Sequence, residues 1–125
     1  MSDADTTILA LRDRIGAFVR VREWEAFHNP KDLANAIAIE AAELMELFLW
    51  KGPHEVDEEA RRPDSRRRIE EELADIVILC LSLANRLEID VTDAIAGKVA
   101  SNEAKYPADM VRGKAHKYTH YEGDP

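Results

Sequence analysis

The 125-residue sequence is short of most features that mark the common function classes. A single cysteine, Cys80, excludes an internal disulfide framework and any site built from several thiolates. It lies in an apolar run, which reads as a small buried side chain in a reducing compartment. No glycine-rich loop is present to cradle phosphates, no internal repeat occurs, and no stretch alternates apolar and polar residues as a strand would. Glycines and prolines number five each and fall mostly between helical patterns. The longest uninterrupted apolar run, residues 76–81, is far too short to span a bilayer. The N-terminus has neither a basic start nor an apolar segment of signal type, so the expectation is a cytoplasmic protein without membrane contact. Positive charge is also in deficit. Seventeen Lys and Arg stand against 25 Asp and Glu, a net charge of −8, which argues against a nucleic-acid polymer as partner. A nucleotide is not excluded, because a bound divalent cation would reverse the sign of the local field.

What is present is helical periodicity. Hydrophobic residues make up 46% and charged residues 34%, an ordinary balance for one soluble helical domain covering residues 1–125. Its core is expected at about residues 6–107, with a tail at 108–125. Thr6 or Thr7 caps a first helix running to about Arg22, with Ile8, Leu11, Ile15, Phe18 and Val19 at helical spacing. Arg12, Arg14, Arg20 and Arg22 read as its solvated sides. Residues 23–31 form an aromatic connector, in which Pro30 extends Asn29 and Asp32 is the expected N-cap of the next helix. Residues 32–50 read as one long helix closed by Lys51, Gly52 and Pro53. Residues 54–64 are charged and poor in apolar side chains, a surface loop or short helical turn. Ser65 begins a third helix to about Leu87 or Glu88. Its second half is apolar nearly all round, so it should sit centrally and meet a second subunit. Asp90 or Thr92 caps a fourth helix to about Lys105, and the segment from Arg112 onward, without periodicity, is either disordered or an ordered strap.

The chemistry is carried by misplaced acids. At about 100° per residue, Leu33, Ile37, Leu44 and Leu47 all fall within roughly 60° of Glu40. Glu40 therefore sits inside the apolar stripe, and Glu43 follows one turn along. The anomaly recurs at Glu72, which shares its stripe with Ile69, Ile76, Leu79 and Leu83, with Asp75 at i+3. Unpaired carboxylates facing a core cost several kcal/mol each, on the order expected for uncompensated buried charge. Four of them converging implies a shared cation, and hard oxygen ligands suit Mg²⁺ or Mn²⁺. Trp24 and Phe27 either cover the ends of the helices or offer a flat face for a nucleobase. Glu25-Ala-Phe-His28 matches the Glu-x-x-His pattern of di-iron bundles, but occurs once and beside a proline. His28 is thus read as a loop hydrogen-bonder or a base or phosphate contact. Lys98, Asn102 and Lys105, near the end of the fourth helix, complement its dipole. Beside a metal–carboxylate cluster they are also where phosphate oxygens would be held.

Taken together, residues 22–33, Glu40-Ala-Ala-Glu43 and its continuation to Lys51, Glu71-Glu-Leu-Ala-Asp75, residues 98–107 and residues 112–119 resemble the MazG-like nucleotide pyrophosphohydrolases, closest to their dCTP pyrophosphatase branch. The resemblance implies an all-α, four-helix MazG-like bundle that assembles as a homo-oligomer, a dimer or dimer of dimers. It also implies Mg²⁺ dependence, with Mn²⁺ as a substitute, and cleavage of a (deoxy)nucleoside triphosphate between the α and β phosphates. Carried over, Glu40, Glu43, Glu72 and Asp75 are the metal ligands and catalytic acids, with Glu43 or Glu72 as general base. Trp24, His28 and Trp50 would shape the base pocket, and Lys98, Asn102, Lys105 and Tyr106 would meet phosphates or sugar. Animal enzymes of this branch carry Tyr where this chain has Leu79, which leaves the base preference open. Other classes compatible with the same acids are a non-catalytic metal- or nucleotide-binding helical module and a hydrolase of phosphoribosyl nucleotides.

Overall fold

A computed structural model describes residues 1–115 and 119; the expectation for the far end of the tail lies largely outside these residues. Every regular element among them is helical: α1 (Ile8–Val21), a 3-10 turn (Glu25–Phe27), α2 (Pro30–Glu46), α3 (Pro53–Arg61), α4 (Pro63–Leu87), α5 (Val91–Lys105) and α6 (Ala108–Val111). The four long helices expected from periodicity are α1, α2, α4 and α5. Two short ones, α3 and α6, bring the count among the described residues to six.

Local chemistry explains the boundaries. The Thr7 hydroxyl accepts from the Ala10 N–H at 3.0 Å and starts α1. Helix α2 begins two residues before the expected cap. Asn29, not Asp32, is the N-cap: its Oδ1 accepts from the Asp32 N–H at 2.9 Å, and its Nδ2 donates to Asp32 Oδ2 at 2.6 Å. Pro30 fits the first helical position because its missing N–H would have no partner there. The same logic moves the start of α4 from Ser65 to Pro63 and opens the charged 54–64 stretch as a helix at Pro53. Helix α2 is also shorter than expected. Beyond Glu46 the chain tightens into i→i+3 bonds, such as Phe48 N–H to Met45 O at 3.1 Å, before reversing at Trp50.

The chain divides into two units, Met1–Ile89 and Asp90–Pro125. In the first, α4 is the central element and packs on α1, α2 and α3, most extensively on α2. Arg12 is structural rather than merely solvated. Its guanidinium donates to Asn85 Oδ1 (2.9 Å) and to the Ile89 carbonyl (2.6 Å), while Asn85 Nδ2 returns a bond to the Arg12 carbonyl (3.1 Å). This clasp ties α1 to the end of α4. The buried set among the described residues is small: Val19, Leu33, Leu81 and Ala84, with Ser82. Cys80, expected to be buried, is exposed, because the apolar run it lies in is not covered on every side within one chain. In the second unit, the Asp90 side chain caps α5 by accepting from the Asp93 N–H at 2.8 Å, deciding between the two expected caps. No helix among the described residues is long and apolar enough to cross a membrane.

Candidate functional site

Glu40 and Glu43 lie one turn apart on α2, and Glu72 lies on α4 opposite them. Each offers a carboxylate oxygen, and these oxygens all fall within 4.8 Å of one another. Glu40 and Glu72 are half-buried and Glu43 is exposed. Packing α2 against α4 produces this cluster, because Glu40 and Glu72 occupy the stripes their helices bury, with Glu43 at the exposed edge one turn from Glu40.

The electrostatics are those of an uncompensated group. Glu40 Oε2 and Glu72 Oε2 are buried without a hydrogen-bond partner. A hydrogen bond with Glu43 holds a proton on Glu40, and desolvation and the charges of Glu43, Asp75 and Glu72 add to it, so its pKa is pushed up to about 7. The Glu72 carboxyl is also raised, first by burial and then by the Glu43 charge. Orphaned carboxylate oxygens of this kind fit a hard divalent cation, which would satisfy them and neutralise the repulsion together. Asp75 does not join the group of three. It is exposed, one turn beyond Glu72, yet its charge is felt by both Glu40 and Glu72.

The other expected site residues lie on several elements of the two units. Trp24 is partly exposed, and its ring meets Phe18 edge-on at 5.7 Å and 78°. The Arg22 guanidinium lies 3.7 Å from the Phe18 ring centroid, so it too does more than face water. His28 is half-buried and lines a cavity of about 780 Å³ between α1, the 3-10 turn and the second half of α4, beside Arg12, Glu25 and Asn85. None of the four acids lines that cavity. Trp50 is 93% exposed. In the second unit, Lys98 and Asn102 are exposed on α5, and Lys105 and Tyr106 are half-buried at its end. Periodicity gave no sign of the Phe18–Trp24 contact, which depends on the chain reversing at Glu23, where φ is 54°. Nor did it mark Lys51 and Glu59, paired at 2.6 Å.

Fold and site together define a protein that is helical throughout its described residues and whose paired helices gather three carboxylates that could hold a divalent cation. The chain belongs to the MazG-like family, which matches residues 35–120. It is 37% identical to dCTP pyrophosphatase 1 of Rattus norvegicus over 115 residues, 92% of this chain and 68% of that protein. Its identity to dCTP pyrophosphatase 1 of Homo sapiens is 36% over 115 residues, with the same shares of each chain, 92% and 68%. Among solved structures it resembles a pyrophosphatase from Archaeoglobus fulgidus, with a TM-score of 0.76 and 36% identity, covering 86% of this chain and 98% of that one.

Proposed function

We propose that this chain, a nucleoside triphosphate pyrophosphohydrolase of the MazG-like family, acts with Mg²⁺ on dCTP or a modified deoxynucleoside triphosphate. Water attacks the α-phosphorus, the α–β phosphoanhydride bond breaks, and the products are the monophosphate and pyrophosphate. The observation that carries this reading is the pair of buried, partnerless oxygens on Glu40 and Glu72 within reach of Glu43. Mg²⁺, when bound, neutralises the triphosphate's charge and makes water acidic enough to attack.

The protein's part is positioning and proton transfer. Glu40, Glu43 and Glu72 hold the cation, with Asp75 supplying a fourth carboxylate from the next turn of α4. Glu43, the exposed member, or Glu72 accepts the proton of the attacking water. Trp24, Trp50 and His28 are the base-side residues, and Lys98, Asn102, Lys105 and Tyr106 take phosphates or sugar. The assembly is a homo-oligomer, because α4 leaves Leu73, Val77 and Ile78 exposed and α2 leaves Ile39 and Met45 exposed, a surface suited to a second copy.

The decisive experiment is a panel of canonical and modified (d)NTPs with Mg²⁺, followed by pyrophosphate release. Glu40→Gln is expected to abolish turnover while the chain stays folded and, without metal, gains stability, because the repulsive cluster is relieved. Near-normal turnover by this variant would refute the site. Tight Mg²⁺ binding with no product from any nucleotide would instead mark a non-catalytic module.

A further inference from the structure

The chain leaves α2 through a reversal that L side chains disfavour. Trp50 has φ 65°, in the left-handed region usually taken by glycine. A glycine stands two places further on, yet Gly52 has φ −74° and serves as the N-cap of α3. The disfavoured position thus carries one of the bulkiest side chains instead. That indole is 93% exposed, so burial does not explain its presence there. Strained backbone of this kind persists only where neighbouring contacts over-determine it.

The neighbouring contacts are on Lys51. Its ammonium donates to the Leu47 carbonyl, freed where α2 ends, at 3.1 Å and pairs with Glu59 Oε1 on α3 at 2.6 Å. Glu59 also accepts from Ser65 Oγ on α4 at 3.3 Å and lies 3.8 Å from Arg62. The Lys51 and Glu59 side chains are only 29% and 25% exposed, whereas every other ion pair among the described residues has at least one largely exposed partner. Partial shielding from water makes the attraction within such a pair stronger than in a surface pair. Three elements, the end of α2, α3 and the start of α4, therefore meet at one carboxylate beside the Trp50 reversal.

We propose that Lys51 and Glu59 are positioning residues for Trp50. Their ion pair fixes the backbone reversal, so that the indole is presented outward from an ordered main chain as the flat face on which the substrate's base stacks. This rests on the nucleotide reading above. A stacking ring on a freely reversing chain would pay its ordering entropy on each binding event; a latched one has paid it on folding. The latch touches none of the carboxylates. Leu47 lies one turn beyond Glu43 and Ser65 two turns before Glu72, so a purely structural role, setting the spacing of α2 and α4, would be felt at the metal site instead.

The test uses Glu59→Gln and Lys51→Met in the full chain, with dCTP and Mg²⁺ in steady state. KM is expected to rise about tenfold, the order set by weakening one base–aromatic stack, with kcat and Mg²⁺ affinity held within about twofold. In a Trp24→Phe background, where Trp50 is the sole indole, its fluorescence anisotropy should fall in both variants. Unchanged anisotropy overturns the proposal even if KM rises, and so does a loss of kcat together with Mg²⁺ affinity. A wild-type chain that turned over no nucleotide would refute the preceding section's reading, and the anisotropy comparison would still decide the latch.

Discussion

Glu40 holds its proton about as tightly as a histidine does, its pKa pushed up to about 7 from an ordinary 4.5 by the hydrogen bond with Glu43 and by burial. The sign of the consequence is fixed. A carboxyl whose folded pKa lies above its unfolded value binds more protons in the native state, so its contribution to stability is complete below about pH 4.5 and is lost as pH rises through about 7. In metal-free protein the melting temperature should therefore fall across that window, and the fall should shrink in Glu40→Gln; scanning calorimetry of the two proteins against pH gives the difference directly. Glu59 titrates in the opposite sense. The Lys51 ammonium holds its carboxyl below the usual range, so its stabilisation is lost only as the solution becomes more acidic than 4.5, outside the Glu40 window. Under the proposed function, metal binding would obey the same linkage. Below about pH 7 the cation must displace the Glu40 proton, so Mg²⁺ affinity by titration calorimetry should climb with pH and level off above it, with proton release measurable in buffers of different ionisation enthalpy. An affinity flat across this range would contradict the shared proton.

Helix ends are where this chain spends its strain. Helix α1 closes with Trp24 N–H bonded to Val19 O (3.1 Å) and Glu23 N–H to Arg20 O (3.0 Å). Helix α4 closes alike, with Ile89 N–H to Ala84 O (2.9 Å) and Glu88 N–H to Asn85 O (3.4 Å). Both are Schellman closures, and both place a glutamate, with φ 54°, where glycine is at ease. Glu88→Gly should accordingly stabilise the chain by about 1 kcal/mol, less the added flexibility of the unfolded state. Chemical denaturation would register this as a higher midpoint at unchanged slope. Because neither closure contains a glycine, neither could be read from the usual stop signals, and the αL residue ending α2 proved to be Trp50 rather than the expected Gly52. Starts were more legible than stops. Thr7 and Asp90 cap as their side-chain chemistry dictates, whereas Asn29 displaced Asp32 because a proline at the first helical position outweighs an acid two residues later.

At the scale of the molecule, the chain by itself buries little. No side chain among the described residues is less than 2% exposed, while Leu73, at 52%, Val77, at 44%, and Ile78, at 42%, are exposed on its central helix. Val77→Asp should therefore lower the sedimenting mass to that of a single chain and reduce thermal stability, whereas an unchanged mass for both proteins at one chain would remove the case for a second copy. The sequence alone determined that the fold is helical, where the four long helices run, and that Glu40 and Glu72 lie on the stripes their helices bury. These are properties of periodicity, which the local backbone enforces without help from the rest of the chain. Only the tertiary structure decided which acids meet. It brought Glu40, Glu43 and Glu72 within 4.8 Å and left Asp75 outside that group, turned Arg12 into a clasp, and paired Lys51 with Glu59. Those outcomes depend on how α4 docks against its neighbours, a matter of distances across packed helices that no spacing along one helix encodes.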